Sequence, residues 1–233
     1  MAEANNLTAK KYIRHMKLEK PDDLEYTVDI STPKAKRKFI ERCKRTIRRS
    51  LEYKDYIKFL KENVGLDSCI FWNNILSGSK KKRISIQMHH EPFTLEDYVR
   101  VVLKKYEAEG LEIDEFDIAE EVMQIHYDNM VGLVPVSKTA HQLIHNTEKL
   151  FVPLNMVYGE YNRFLTQYDE YIEMLSNEED YDLYAKLERK LEQTANMTDE
   201  SFAAIKKQFT YLEVKGQSDL EKVQMLGKKK EAA

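Results

Sequence analysis

The sequence predicts an α+β protein that is mostly helical, on three observations. Apolar residues recur every three or four positions over long stretches, as helices that bury one face require. Extended segments are few and short, near Ser68, Arg83 and Gly132. Five of the six histidines fall between residues 89 and 145, directly after or beyond the last two short segments.

Residues 1–33 lack clear periodicity, apart from a short helix expected around Ala9 to Leu18. From Pro33 a helix is expected, because Phe39, Ile40, Cys43, Ile47 and Leu51 share a face and proline suits a first turn. The pattern continues through Tyr53, Tyr56, Ile57 and Leu60 to a stop near Gly65. Ser68 to Trp72 reads as a strand, with Phe71 and Trp72 as core, and Arg83 to Met88 as its antiparallel hairpin partner. Thr94, with Asp97 three residues on, caps a helix carrying Leu95, Tyr98, Val99, Val102, Leu103 and Tyr106 and ending at Gly110. A second helix runs from Asp114 to about Asp128 and carries Phe116, Ala119, Val122 and Met123. Gly132 to Val136 is short and β-like, and Ser137 caps the helix that follows. From Leu150 onward one long stripe, Tyr158 to Leu175, continues into an acidic helix through Leu191. Asp199 caps a last helix through Leu212, and the tail from Gly227 frays. The regions expected are 1–66, basic and helical; 67–149, holding the histidines with helical insertion 93–129; and 150–233, acidic and helical.

Hydrophobic residues make up 42% of the 233 and charged ones 33%, the balance of a soluble globular protein. No apolar run reaches membrane-spanning length and none follows a basic start, so neither a membrane anchor nor a secretory leader is expected. Cys43 and Cys69 form no metal-binding spacing, which suits a reducing compartment. The net charge of −3 hides an asymmetry. Through Lys105 there are 24 Lys+Arg against 14 Asp+Glu, and from Tyr106 onward 13 against 26. Lys34 to Arg49 is the densest basic stretch, and Lys80, Lys81, Lys82 and Arg83 lead into the segment before the histidines. Such clusters neutralise phosphates, so Arg45, Arg48, Arg49 and the Lys80–Arg83 run are the expected nucleic-acid contacts.

His89 and His90 are adjacent at the end of an extended segment. His141 and His145 are one turn apart on a helix, so they project from the same face. The stretch Met88-His89-His90-Glu91-Pro92, followed by Gly132-Leu133-Val134-Pro135-Val136-Ser137-Lys138-Thr139-Ala140-His141-Gln142-Leu143-Ile144-His145, resembles the HNH endonuclease motif in its colicin-type form. The resemblance covers about a quarter of the chain. It implies a ββα-metal core, with the two helices between Thr94 and Asp128 as an insertion and a helical C-terminal region beyond. It also implies that His89, His141 and His145 ligate one divalent ion (zinc, magnesium, manganese or nickel) and that His90 activates water. The motif's asparagine position holds Gly132, and Asn129 or Asp128 would have to orient the base instead. His126 reads as a partly exposed bystander, Glu91 as a surface carboxylate and His15 as solvated.

The resulting expectation is a metal-dependent endonuclease acting on nucleic acid, DNA first. The alternative is an HNH-scaffold protein that binds nucleic acid or serves assembly, of phage or mobile-element origin. A third reading is a helical interaction protein whose histidines bind nothing. No membrane partner is expected, and the C-terminal helices offer a surface for a second copy or another protein. The compartment expected is cytoplasmic, with virion association under a phage origin.

Overall fold

The computed structural model describes residues 18, 28–76, 85–146, 150–179 and 181–197, with the side chains of 72–76, 146, 178 and 179 set aside. The expected elements at 9–17 and 199–212, the basic run 80–83 and the tail from Gly227 lie outside these residues.

The described chain is mostly helical with two small antiparallel sheets. Helix α1 (Pro33–Arg49) starts where Thr32 accepts from the Ala35 amide at 3.1 Å, with proline in the first turn. It does not run on to Gly65 as the apolar pattern implied. Ser50 leaves the helix with ψ near 156°, and its hydroxyl donates to the Ile47 carbonyl at 2.8 Å. The same oxygen accepts from the Tyr53 amide and so caps α2 (Leu51–Phe59). A serine that serves both helix ends breaks the helix without interrupting the apolar stripe. A wider turn over Leu60–Val64 then closes at Gly65, whose φ of 86° is left-handed.

Strand β1 (Ser68–Cys69) turns at Ile70 and Phe71 and pairs with β2 (Trp72–Leu76). The run read as one strand is therefore itself a hairpin, and Phe71 is buried. Strand β3 (Ile86–His90) does not pair with this hairpin. Its partner is β4 (Leu133–Ser137), antiparallel, with Ile86 opposite Ser137 and His90 opposite Leu133. Between them run α3 (Leu95–Glu109) and α4 (Glu115–Tyr127). Thr94 and Asp97 form the expected capping box at the start of α3. Gly110 ends that helix at φ 65°, and Asp114 caps α4 through the Phe116 amide at 2.7 Å. Helix α5 (Lys138–Asn146) follows β4 directly, capped by Ser137 through the Ala140 amide.

The long C-terminal helix resolves into three: α6 (Tyr161–Gln167), α7 (Asp169–Glu179) and α8 (Leu183–Ala195). Residues 150–160 hold only a short turn, Leu154–Met156, and a bridge from Tyr158 to Leu133. A periodicity of three and four survives a one-residue break at Tyr168, which the pattern therefore concealed.

Two buried clusters result. The larger joins α1 and α2 to α3, α4, α6, α7 and Leu183 of α8, and takes Met88 and Leu133 from one face of the β3–β4 sheet. The smaller takes Val134 and Val136 from the other face, with Cys69, Phe71, Ala140, Leu150 and Val152. Part of the basic face of α1 is used within the fold. Lys36 pairs with Glu107 at 3.1 Å, Lys44 with Glu96 at 2.9 Å and Arg42 with Glu115 at 3.0 Å.

Gly132 sits where three backbones cross. Its carbonyl accepts from the Glu91 amide at 3.0 Å, its own amide faces the Tyr98 hydroxyl at 3.3 Å, and Leu133 next to it pairs with Tyr158. A Cβ at Gly132 would lie 1.8 Å from the Glu91 carbonyl oxygen. Backbone cannot give way as a side-chain tip can, so Gly132→Ala is expected to cost about 3 kcal/mol or more, or to prevent folding. Urea denaturation measures this, and an unchanged midpoint would refute the crossing.

Candidate metal centre

The histidine centre is made by the two-residue period of β3. Successive strand side chains point to opposite faces, so the tandem pair is split. His89 faces α5, whose His141 and His145 lie one turn apart. His90 faces the helical core.

On the first face, one nitrogen from each of His89, His141 and His145 lies within 4.8 Å of the others. The His89 ring centroid is 5.2 Å from that of His141 and 5.1 Å from that of His145. Nε2 of His141 and of His145 stand 3.2 Å apart. The cluster grades from buried His89 to exposed His145, so it is open on one side. Burial, then the neighbouring imidazoles and the Arg48 guanidinium, push the His141 pKa down to about 4. Burial, His89 and Arg48 lower that of His145. Unprotonated imidazoles present lone pairs, the form a metal requires.

Glu91 is buried, where the sequence reading placed a surface carboxylate. Its Oε2 accepts from Nε2 of His89 at 3.2 Å, and its Oε1 is 2.8 Å from Nζ of Lys190 on α8. Burial raises the carboxyl pKa, but the His89 hydrogen bond and the Lys190 charge outweigh it, and the net direction is down. An ionised carboxylate only accepts, so Nε2 of His89 is the donor in this bond. Glu91 itself lies outside the three-nitrogen set.

On the second face, Nε2 of His90 meets Nε2 of His126 at 3.0 Å, and Nδ1 of His126 donates to the Val122 carbonyl at 2.7 Å. The Val122 bond fixes the His126 tautomer, so His90 is the donor between the rings. His126 is fully buried, not the partly exposed bystander expected, and Tyr53, Tyr56 and Tyr98 surround it. Burial pushes the His126 pKa down to about 4 and that of His90 well below its usual value. The partner of His90 is thus His126 and not an asparagine. Asn129, at φ 58°, closes the turn after α4, its carbonyl accepting from the Glu160 amide at 2.7 Å. The carbonyl of Asp128 accepts from Arg163. Neither signal for His126 stood in the sequence, because its partner lies 36 residues away.

Of the expected phosphate contacts, Arg48 is exposed beside the three histidines. Arg45 and Arg49 line a separate cleft of about 500 Å³ with Arg42, Leu51 and Phe116. Among the described residues no helix is long and apolar enough to cross a membrane.

His126→Leu leaves the His90 N–H without its acceptor and is expected to cost roughly 1–3 kcal/mol; adding His90→Phe should recover part of that, since no buried donor then remains. Denaturation of the single and double variants reads this directly, and no loss in the single variant would refute the pairing.

Comparison with known proteins corrects the resemblance drawn from the motif. A family model matches residues 2–218, and it describes the bacteriophage G278-like virion proteins, not the HNH endonucleases. The HNH assignment falls, and with it the expectation of an endonuclease; of the origins considered, the phage is the one supported. No curated protein and no solved structure matches the chain. The match spans most of the sequence, and the chain belongs to the bacteriophage G278-like virion protein family.

Proposed function

We propose that this virion protein serves assembly, as a structural component whose histidine centre holds one transition-metal ion. The observation that carries the reading is the convergence of His89, His141 and His145 within 4.8 Å, from a strand and a helix adjoining in space. It rests on these three side chains and not on the withdrawn resemblance.

The donor set selects among the metals considered. Three imidazole nitrogens suit zinc or nickel, whereas magnesium and manganese favour oxygen ligands. The tie has a mechanical reason. Helix α5 places Ala140 fully in the core, and its other described residues are half-buried or exposed. A helix so thinly packed gains from a bond to the strand beside it. An ion held by His89 of β3 and by His141 and His145 of α5 would join the two elements. A ligand at about a thousand times its Kd stabilises a fold by about 4 kcal/mol. For a chain of this size that is a rise in melting temperature of roughly 8–16 °C.

Elemental analysis of protein purified without a histidine tag should find about one equivalent of zinc or nickel. A chelator should lower the melting temperature, and His141→Ala or His145→Ala should abolish both the loading and the response. Parent protein free of metal after zinc dialysis, with an unshifted melting curve, would overturn the reading.

A further inference from the structure

Helix α8 is fastened to the histidine centre, and mostly by polar contacts. Of its described residues only Leu183 is fully buried. Lys186, Lys190 and Thr194 recur every four residues and form one stripe. Lys186 pairs with buried Asp97 at the cap of α3, and Tyr181, just before the helix, also donates to Asp97. The Tyr181 ring lies under the Arg100 guanidinium at 4.7 Å. The Thr194 hydroxyl accepts from the Leu154 amide at 3.1 Å. Lys190 sits 5.1 Å from the centroid of the Phe151 ring and reaches Glu91. One flank of the helix leaves Tyr184 38% and Leu191 51% exposed.

The Lys190 contact leads into the centre. Glu91 binds Lys190 through one oxygen and His89 through the other, so three groups lie in series: lysine, carboxylate, imidazole. A carboxylate on the outer nitrogen of a ligating histidine fixes its orientation and raises its basicity, and loss of such a partner weakens metal binding 10- to 100-fold. Glu91 is buried and needs a compensating charge to stay in place. Lys190 supplies it, and Lys190 is delivered by a helix whose apolar anchors are buried Leu183 and half-buried Leu187.

We propose that α8 is a strap that sets the affinity of the metal centre, with Lys190 as a positioning residue acting through Glu91 on His89. The proposal rests on the metal reading above. Coupling between two events is reciprocal, so metal binding tightens the strap by the factor by which the strap tightens the metal. Metal loading and the docking of α8 would then occur together, which lets one event report the other during assembly.

The test uses the full chain, with zinc as the probe. Hydrogen exchange of the parent protein is followed across residues 183–195 with and without zinc, and zinc affinity is measured by competition with a chelating dye. Exchange in α8 should slow about tenfold on zinc addition. Lys190→Ala should weaken zinc binding about tenfold while its stoichiometry stays at one. Lys190→Arg, which keeps the charge and the reach, should bind nearly as the parent does. Exchange in α8 that ignores zinc, or Lys190→Ala binding zinc as tightly as the parent, would overturn the strap and leave the metal centre standing. A parent chain that binds no zinc would overturn both. The exchange measurement needs no variant, so it remains decisive if Lys190→Ala folds poorly.

Discussion

The pairing of β3 with β4 is the constraint on which the rest of the site depends. Its register sets His89 opposite Val134 and His90 opposite Leu133. One residue of slip would send every side chain of β3 to the other face. His89 would enter the helical core and His90 would face α5. The register is held from outside the ladder as well as within it. The Ile70 amide donates to the Pro135 carbonyl at 3.0 Å, and the Glu91 amide extends the pairing to Gly132. Tyr158 closes the far side of Leu133. The tandem histidines are therefore two residues with separate physics, one in a cluster of three imidazoles and one in a buried imidazole pair.

The buried carboxylates show how charges distant in the chain are paired. Glu91 and Asp97 flank the start of α3, and each takes a lysine from α8. The basic face of α1 meets acids of α3 and α4 in the same way. Charges that read along the sequence as separate blocks are partly consumed in cross-helix pairs. Isolated surface pairs contribute little, but Glu91 and Asp97 are almost wholly shielded, and a buried carboxylate stripped of its partner is costly. These two positions therefore fix where α8 can lie, together with Leu183 and Leu187.

What could be read along the chain was what local chemistry decides. Thr94 with Asp97, Gly110, Asp114 and Ser137 all mark helix ends through bonds within four residues. The stripes of α1, α3 and α4 named their buried faces. What could not be read depended on distant partners. Nothing in Arg83 to Met88 specifies a partner more than forty residues on, so the nearest strand is the one that local signals point to. The breaks at Ser50 and Tyr168 were hidden because the apolar rhythm continues through both. His126 gives no local sign of its role, because that role lies in its contact with His90. At the centre itself, the spacing made legible that the two histidine pairs meet, whereas the choice of His89 over His90 came only with the resemblance, and the burial of Glu91 and its link to Lys190 were not legible at all.

The same histidine pattern served two interpretations, and Gly132 and His126 separate them. A strand ending in two histidines gathers imidazoles with a helix bearing two more when its register turns one of the pair toward that helix, and such a frame is not by itself a nuclease. A nuclease of the type first inferred needs an asparagine near Gly132 to orient its base. The backbone of Glu91 fills the space in which that side chain would begin. The orienting bond to His90 comes instead from His126, whose far nitrogen is tied to the backbone of its own helix. A ring fixed on that side packs as a core residue does. The similarity lay in the strand-and-helix frame that gathers the imidazoles.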